Sequence, residues 1–165
     1  MADGVILHRF GGLKMASIDA LNVSASGMSA QRLRMDTIAQ NIANVNTTRD
    51  ENGNVYRRKT VVFQTKSQDS FSTMLAQRQK SNASELIGNG VKVSAIVEDH
   101  VTAMKTVYDP GNPDANEDGY VTLPNVNTVT EITNLIDASR AYEANITAFN
   151  AMKSMLLKGL EVGKS

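Results

Sequence analysis

The 165-residue sequence contains no cysteine and no tryptophan, and only 5% of its residues are aromatic. The absence of cysteine excludes disulfide scaffolds, thiolate metal sites and thiol catalysis. The scarcity of aromatic side chains removes the large apolar groups that usually dominate a core, and methionine, serine, threonine and asparagine take up the composition instead. This composition suggests that part of the stability comes from assembly with other chains.

Net charge and long apolar runs are also absent. Basic and acidic residues both number 17, so no global field attracts the chain to nucleic acid or to an anionic membrane. No run approaches the roughly 18 apolar residues of a membrane span, and the first 14 residues contain too short an apolar stretch for a secretory signal. We therefore expect partners to be recognised by shape and local pairing, and any export to use another route.

A long helix is predicted from Ser17 to about Val45, where apolar residues recur three, four or seven positions apart. Ser17 is the predicted N-cap, and Gly27 marks either a bend or a place where another backbone approaches closely. The remaining face carries few charges and consists of Ser, Asn, Gln, Thr and Ala. Because uncharged side chains cost less to desolvate than ions, this face favours a helix contacted nearly all round; an ordinary two-helix hairpin is the alternative.

A second long helix is predicted near the C-terminal end. Thr128 and Glu131 have the spacing of a capping box, in which the Thr side chain bonds the third amide and the Glu side chain bonds back. Apolar residues then alternate at spacings of three and four as far as Leu160, with neither Gly nor Pro between Pro124 and Gly159. This spacing is typical of a coiled-coil seam.

Between the helices the pattern changes to the alternation of β-strands. Four strands are predicted: Tyr56–Gln64, Val91–Glu98, Lys105–Tyr108 and Tyr120–Leu123. A loop at 109–119 connects the last two, and residues 66–88, rich in Ser, Gln and Asn, are predicted to be a mobile or partner-ordered segment. The predicted fold class is α+β, with long N- and C-terminal helices that pair as an antiparallel coiled coil and a small β-rich insert between them.

The stretch DANEDGY at 114–120 begins like an EF-hand calcium loop. Asp114, Asn116 and Asp118 occupy ligand positions and Gly119 follows them, so these three side chains are weak candidates for a metal site. Position 12 is Asn125, however, and not the bidentate Glu that such loops need; two nearby prolines also exclude the entering helix. The alternative is a hairpin turn that leads into the fourth strand.

Two other clusters of charged residues each suggest a candidate site, one for catalysis or metal binding and one for nucleic-acid binding. Glu98 and Asp99 beside His100 suggest an acid–base or metal cluster, but neighbouring strand residues point to opposite faces. The basic run at 57–59 permits nucleic-acid binding, although a solvated or subunit-facing strand edge is the better interpretation. Because the sequence also lacks a Gly-rich phosphate loop, a GxSxG motif and an HExxH motif, it predicts neither an enzyme nor a bound cofactor.

Several separated motifs resemble the flagellar axial proteins, which comprise rod, hook and hook-associated subunits. The segment SASGMSAQRLRMDTIAQNIANVNTT at 24–48 is similar to their N-terminal signature. Four further segments are similar to the proximal rod subunits among them: YRRKTVVFQ, GVKV, VYDPGNPDANEDGYVTLPNVN and ASRAYEANITAFNAMKSMLLKGLEVGK. The resemblance extends from Met15 to the C-terminal end.

This resemblance implies a structural subunit of the flagellar basal-body rod, without enzymatic activity or a cofactor. Such subunits assemble helically with themselves and with other rod proteins, contact neighbouring membrane-ring and rod-adaptor proteins, transmit torque and enclose the export channel. They are exported by the flagellar type III apparatus without a cleaved signal peptide, and they reside in the periplasm or cell-wall space. Neither nucleic-acid binding nor direct membrane insertion is expected.

The resemblance also implies a division of the chain and a set of assembly residues. Residues 15–48 and 127–165 would form the coiled-coil inner domain and residues 49–126 the β-rich insert, while residues 1–14 are a leader that precedes the usual start of such proteins. The implied assembly interface comprises two groups, one on each helix. They are Leu21, Met28, Met35, Ile38, Asn41, Ile42, Asn44 and Asn46, and Ile132, Leu135, Ile136, Arg140, Tyr142, Asn145, Ile146, Phe149 and Leu156. The three asparagines of the first group would close the end of the first helix.

Two other functions stay open on the sequence alone. One is a small calcium-responsive regulator that uses residues 114–125, and the other is a free-standing coiled-coil adaptor. The first depends on the loop binding calcium, which a titration tests directly, and the second depends only on the paired helices.

Overall fold

The structure of the protein, a computed structural model, describes residues 3–49, 53–66 and 90–162. In chain order, the elements are α1 (Asp3–Ala43), β1 (Lys59–Thr65), β2 (Val91–Glu98), β3 (Lys105–Tyr108), β4 (Tyr120–Leu123) and α2 (Thr128–Val162). The predicted α+β class is confirmed. Apart from Lys66, the segment predicted to be mobile lies outside the described residues.

Helix α1 begins much earlier than predicted. It starts at Asp3, so the N-cap predicted at Ser17 is wrong, and most of the predicted leader is helical. No proline precedes Pro110 in the sequence, so nothing in this region blocks the helical hydrogen bonds. The helix ends at Ala43, where the backbone N and the side-chain Nδ2 of Asn44 both donate to the Gln40 carbonyl oxygen, at 3.1 and 2.9 Å.

Helix α2 runs without interruption to Val162, as the spacing predicts, but its N-cap is not the predicted one. Asn127 Oδ1 accepts hydrogen bonds from the backbone N of Val129 and Thr130, at 3.1 and 3.3 Å. The capping box predicted at Thr128 and Glu131 is therefore wrong. An Asn one position earlier already bonds the free amides of the first turn, which leaves the Glu131 side chain available for other contacts.

The strands form two separate two-stranded sheets, β1–β2 and β3–β4. The bounds of β2, β3 and β4 agree with the prediction, and β1 begins three residues later than predicted, at Lys59. Strands β3 and β4 are antiparallel, with Lys105 opposite Leu123 and Tyr108 opposite Tyr120. The last two rings meet edge to face with their centroids 5.2 Å apart. Each sheet alone is small, so contacts with the helices matter for its stability.

The chain divides into two compact units, each built from several segments. One unit contains residues 1–30, 63–92 and 142–165, and the other contains residues 31–62 and 93–141. Among the described residues of the second unit, the buried apolar side chains are Ile38, Val121, Pro124, Val126 and Ala138. Within the described part of the chain, no helix combines the length and the apolar character that a membrane span requires.

Candidate functional site

The side chain of Asn41, in the last turn of α1, is fully buried and makes four hydrogen bonds. Its Oδ1 accepts from the backbone N of Lys59 and from the Tyr56 hydroxyl, both at 2.9 Å. Its Nδ2 donates to the Lys59 carbonyl oxygen at 2.8 Å and to Glu131 Oε2 at 2.9 Å. Because an amide side chain offers two donors and two acceptor positions, each of them has a partner here.

Glu131 brings a negative charge into the same place. It lies in the first turn of α2 and is fully buried, and its Oε1 accepts a hydrogen bond from Arg58 Nε at 2.8 Å. The Arg58 side chain is 26% exposed, so one end of this ion pair reaches solvent. A buried carboxylate is unfavourable without partners. Glu131 has one partner from α1, one from the segment before β1, and the favourable dipole of its own helix N-terminus.

Asn125 connects the segment before β1 to the turn after β2. Its Oδ1 accepts from the backbone N of Arg58 at 2.9 Å, and its Nδ2 donates to the carbonyl oxygens of Asp99 and Thr102, at 2.9 and 3.2 Å. The Asp99 carboxylate accepts from the backbone N and hydroxyl of Thr102 and from the backbone N of Val101. These bonds hold the pKa of Asp99 below its ordinary value, and the bond from the backbone N of Thr102 has the largest effect.

Tyr56 is the fifth side chain of this group. Burial raises the pKa of its phenol above the ordinary value, and the negative charges of Glu98 and Glu131 raise it further. The neutral hydroxyl therefore remains a hydrogen-bond donor to Asn41, and the Lys59 ammonium lies 5.4 Å from the centroid of its ring. We refer to Asn41, Tyr56, Arg58, Asn125 and Glu131 together as the Asn41 cluster; all five belong to the unit of residues 31–62 and 93–141.

A second contact joins α1 to the start of β2, within the other unit. Ser26 Oγ accepts from the backbone N of Val91 at 3.0 Å and donates to the Val23 carbonyl oxygen at 2.7 Å. Gly90 has a φ of 103°, and a Cβ added there would lie 2.1 Å from Ser26 Oγ and 3.3 Å from the Cα of Val23. The position requires glycine both for its backbone conformation and for its lack of a side chain.

The two helices also approach each other closely at Gly27. A Cβ added to Gly27 would lie 2.8 Å from Asn145 Oδ1, and α1 continues through this position. Of the two interpretations that the sequence leaves open for Gly27, close approach is therefore the correct one. The group that approaches is an α2 side chain and not a backbone.

The stretch at 114–120 folds as a tight turn between β3 and β4. Asn116 Oδ1 accepts from the backbone N of Asp118 and Tyr120, at 3.1 and 2.7 Å. The backbone N of Gly119 donates to the Asn116 carbonyl oxygen, and Gly119 has a φ of 80°, which favours glycine. Asn116 thus uses its side chain to form the turn, and the hairpin-turn interpretation is confirmed.

Asp114, another of the three candidate calcium ligands, contacts the segment that follows α1. Its Oδ1 lies 3.0 Å from Arg49 Nε, and its Oδ2 accepts a hydrogen bond from the Thr48 hydroxyl. Among the residues that the structure describes, no group of three His or acidic side chains is arranged to hold a metal ion. The geometry of this loop therefore gives the calcium interpretation no support.

Most of the Asn41 cluster was not predicted from the sequence. The solvated or subunit-facing strand edge predicted for the basic run is wrong for Arg58, which forms the ion pair with buried Glu131. Asn41 was expected to close the end of α1, whereas its side chain bonds Lys59 and Glu131, and Asn44 bonds the Gln40 carbonyl oxygen. One signal was available: once Asn127 is taken as the N-cap, Glu131 has no capping role and needs another partner.

The residues of the predicted assembly interface differ widely in burial. Ile38 and Asn41 are buried, Asn46, Ile132, Ile136 and Arg140 are exposed, and the remainder are half-buried. The half-buried residues are Leu21, Met28, Met35, Ile42, Asn44, Leu135, Tyr142, Asn145, Ile146, Phe149 and Leu156.

Where the burial of helix residues is described, from residue 18 onward, the buried positions are by contrast mostly small or polar. On α1 they are Ser24, Ala30, Thr37, Ile38 and Asn41, and on α2 they are Glu131 and Ala138. Large apolar side chains on both helices therefore keep part of their surface free in the single chain.

Two flagellar families match the chain. The family described as "Flagella basal body rod protein" matches residues 21–49, and the family described as "Flagellar basal body rod FlgEFG protein C-terminal" matches residues 117–162. Asn41 lies in the first matched range, and Asn125 and Glu131 lie in the second. Tyr56 and Arg58 lie between the two ranges.

Curated relatives match over nearly the whole chain. The flagellar basal-body rod protein FlgC of Bacillus subtilis is 48% identical over 154 residues, which cover 91% of this chain and 100% of the relative. The FlgC proteins of Borreliella burgdorferi and Salmonella typhimurium are 40% and 37% identical, over 90% and 91% of this chain and 98% and 100% of their own lengths. These relatives are rod proteins, so they support neither a calcium-responsive regulator nor a coiled-coil adaptor.

Proposed function

The chain belongs to the FlgC family of flagellar basal-body rod proteins, and from this membership we propose that it builds the proximal part of the rod. It is a structural subunit and not an enzyme. In this proposal it assembles helically with copies of itself and with other rod proteins, transmits torque and helps to enclose the export channel. Contacts between subunits that do not close into a ring produce such a helical filament.

The observation that carries the proposal is the apolar surface that α2 leaves exposed. Val129 and Val162 are 74% and 76% exposed, and five other large apolar side chains of the same helix are 46% to 66% exposed. They are Ile132, Ile136, Met155, Leu157 and Leu160. Monomeric proteins rarely expose large contiguous apolar patches, and such patches mark sites of association. We assign them to contacts with neighbouring subunits.

Pairing of α1 with α2 as an antiparallel coiled coil is part of this proposal. Within one unit Gly27 contacts Asn145, and within the other Asn41 contacts Glu131. Asn41 follows Gly27 by two seven-residue repeats, and Asn145 follows Glu131 by the same distance. Contacts spaced by whole heptads along each helix are the pattern expected of a coiled coil. The predicted interface residues on both helices would then lie beside this seam, where neighbouring subunits can cover them.

The same membership supports our proposal for the cellular setting. We place the chain in the flagellar basal body, in the periplasm or cell-wall space, with export by the flagellar type III apparatus and without a cleaved signal peptide. Membrane-ring and rod-adaptor proteins would be its neighbours at the base of the rod. The absence of cysteine suits a protein that functions in an oxidising space.

The proposal is tested by placing charges on the exposed apolar face of α2. In cells that lack their own copy of this chain, a variant with Leu157→Asp and Leu160→Asp is expected to leave the cells non-motile and to be absent from isolated basal bodies. Both side chains are exposed in the single chain, so the free energy of unfolding of the purified variant should change little.

The matched control is Lys158→Ala. Lys158 lies between the two changed residues, and its ammonium group forms an exposed salt bridge with Glu161 on the same helix. These cells should swim normally. Normal swimming with the double Asp variant would contradict the assignment of this face to subunit contacts. Normal swimming of cells without the chain would contradict the rod function itself.

A further inference from the structure

The Asn41 cluster places a half-buried ion pair and a fully bonded amide at a contact between two helices. A buried ion pair usually adds little net stability, because desolvation offsets the attraction between the charges. The best-attested role of a buried polar residue between helices is to specify which register they adopt. We propose that the Asn41–Glu131 contact specifies the register in which α2 pairs with α1.

The large apolar residues do not specify this register by themselves. On α1, Leu21, Met28, Met35 and Ile42 recur every seven residues, and on α2, Leu135, Tyr142, Phe149 and Leu156 do the same. A shift of one helix by one heptad therefore brings all but one residue of each series next to another of the partner series. The buried residues described on the two helices are mostly small or polar, so shape also distinguishes poorly between shifted registers.

The polar contact does distinguish between registers. A shift of one heptad in one direction places Ala138 opposite Asn41, and Ala138 offers the amide no side-chain partner. The opposite shift places Asn41 beyond Thr128, the first residue of α2. In both cases Asn41 Nδ2 loses Glu131 Oε2, and a buried donor without a partner carries the full cost of its desolvation.

Arg58 and Lys59 make this contact more specific. The Oδ1 and the Nδ2 of Asn41 are also both bonded to the backbone of Lys59, and Glu131 is bonded to Arg58. The segment before β1 therefore fixes the position of both helical side chains. A shifted register would have to break the bonds to this segment as well as the bond between the helices. The inference rests on the proposed pairing of α1 with α2, but it concerns the single chain and can therefore fail while the proposed rod function holds.

The absence of cysteine makes the register measurable by disulfide trapping. The register of the Gly27–Asn145 contact places Ser24 opposite Ala148, so a Cys pair at these positions reports the native register. Ser24→Cys paired with Ala141→Cys or with Met155→Cys reports a shift of one heptad in either direction. One heptad moves a helix by about 10 Å, whereas a disulfide requires Cα atoms within about 7 Å, so each pair is selective.

The test combines these pairs with removal of the polar contact by Asn41→Leu and Glu131→Leu. With the cluster intact, only the native pair should form a disulfide under mild oxidation. Without it, we expect one of the shifted pairs to form in at least a tenth of the chains, with an equal loss from the native pair. The reporters lie far along α1 from Asn41, so a purely local role of the cluster would not change their pattern.

Two further variants make the outcome decisive. Ile38→Val removes a methylene group from a buried residue of the same helix and should lower the free energy of unfolding without forming shifted disulfides. If the double Leu variant loses its helical circular dichroism, the near-isosteric single change Asn41→Leu, which removes the same bond to Glu131 and keeps the Arg58–Glu131 pair, decides by the same measurement. Native disulfides alone in a helical variant, or shifted disulfides with Ile38→Val, would overturn the proposal.

Discussion

The two contacts between α1 and the β1–β2 sheet achieve specificity by opposite means. At Asn41, a buried side chain with four hydrogen bonds holds the backbone of Lys59. At Ser26, the strand approaches because Gly90 has no side chain and adopts a φ of 103°. The first contact depends on groups that are present and bonded, whereas the second depends on a group that is missing.

This difference determines how each contact responds to change. A buried polar contact is damaged most by removal of one partner, since the remaining groups stay buried without a bond. A close backbone approach is damaged by addition of atoms, since packed groups have no room to move. Deletion is therefore the sensitive test at the Asn41 cluster, and addition of a methyl group is the sensitive test at Gly90.

The largest effect is expected for Glu131→Ala. This change leaves Asn41 Nδ2 and Arg58 Nε without their shared partner, and breaking a buried ion pair costs about 3 to 5 kcal/mol. Because Arg58 is partly exposed, we expect a loss near the lower end, about 3 kcal/mol of the free energy of unfolding in urea. The control Glu143→Ala, on an exposed position of α2, should change it by less than about 0.5 kcal/mol. A loss equal to that of the control would contradict the role of the cluster.

A smaller loss is expected for Gly90→Ala. The backbone at Gly90 is strained for any residue with a Cβ, and the new atom would overlap Ser26 Oγ, so we expect a loss of about 2 kcal/mol. Gly159→Ala is the matched control, because a Cβ there meets nothing within 4 Å. It lies inside α2 and should add about 0.5 to 1 kcal/mol through helix propensity. Equal effects of the two substitutions would show that Gly90 is not under steric constraint.

The smallest effect is expected for Tyr56→Phe, which removes one hydrogen bond to Asn41 and should cost about 1 kcal/mol at neutral pH. Because burial raises the pKa of Tyr56, the folded state favours the neutral phenol. Its contribution is complete below the ordinary phenol pKa of about 10 and is lost as the pH rises through the higher folded value. The stabilities of the parent and Tyr56→Phe proteins should therefore converge in alkaline solution. A difference that stays constant with pH would contradict this account.

Local sequence signals predicted much of the fold. The alternation of apolar residues located β2, β3 and β4 at their observed bounds, and the uninterrupted apolar spacing located α2. The predicted start of β1 was too early because Tyr56 and Arg58 follow a β-like sequence pattern, whereas their side chains belong to the Asn41 cluster. The N-cap predicted at Ser17 was wrong because the helix already begins at Asp3 and continues through Ser17. A residue with a good capping side chain does not begin a new helix where nothing interrupts the one before it.

The candidate site could not be predicted in the same way, because its members lie far apart in the sequence. Asn41 was identified as an assembly residue through the family resemblance, but its partners Arg58 and Glu131 were assigned to other roles. Their side chains meet only after the helices and the segment before β1 have packed together. Neither periodicity nor local propensity contains information about such a meeting.

The separation of these partners along the chain also bears on the order in which they come together during folding. Asn41 and Lys59 are 18 residues apart, whereas Asn41 and Glu131 are 90 residues apart. Closing the longer loop costs about 1.4 kcal/mol more in chain entropy, and contacts of long range slow folding. The bond to Glu131 also requires the C-terminal third of the chain. A chain released gradually from a narrow passage would therefore keep this bond open until both of its helices had emerged.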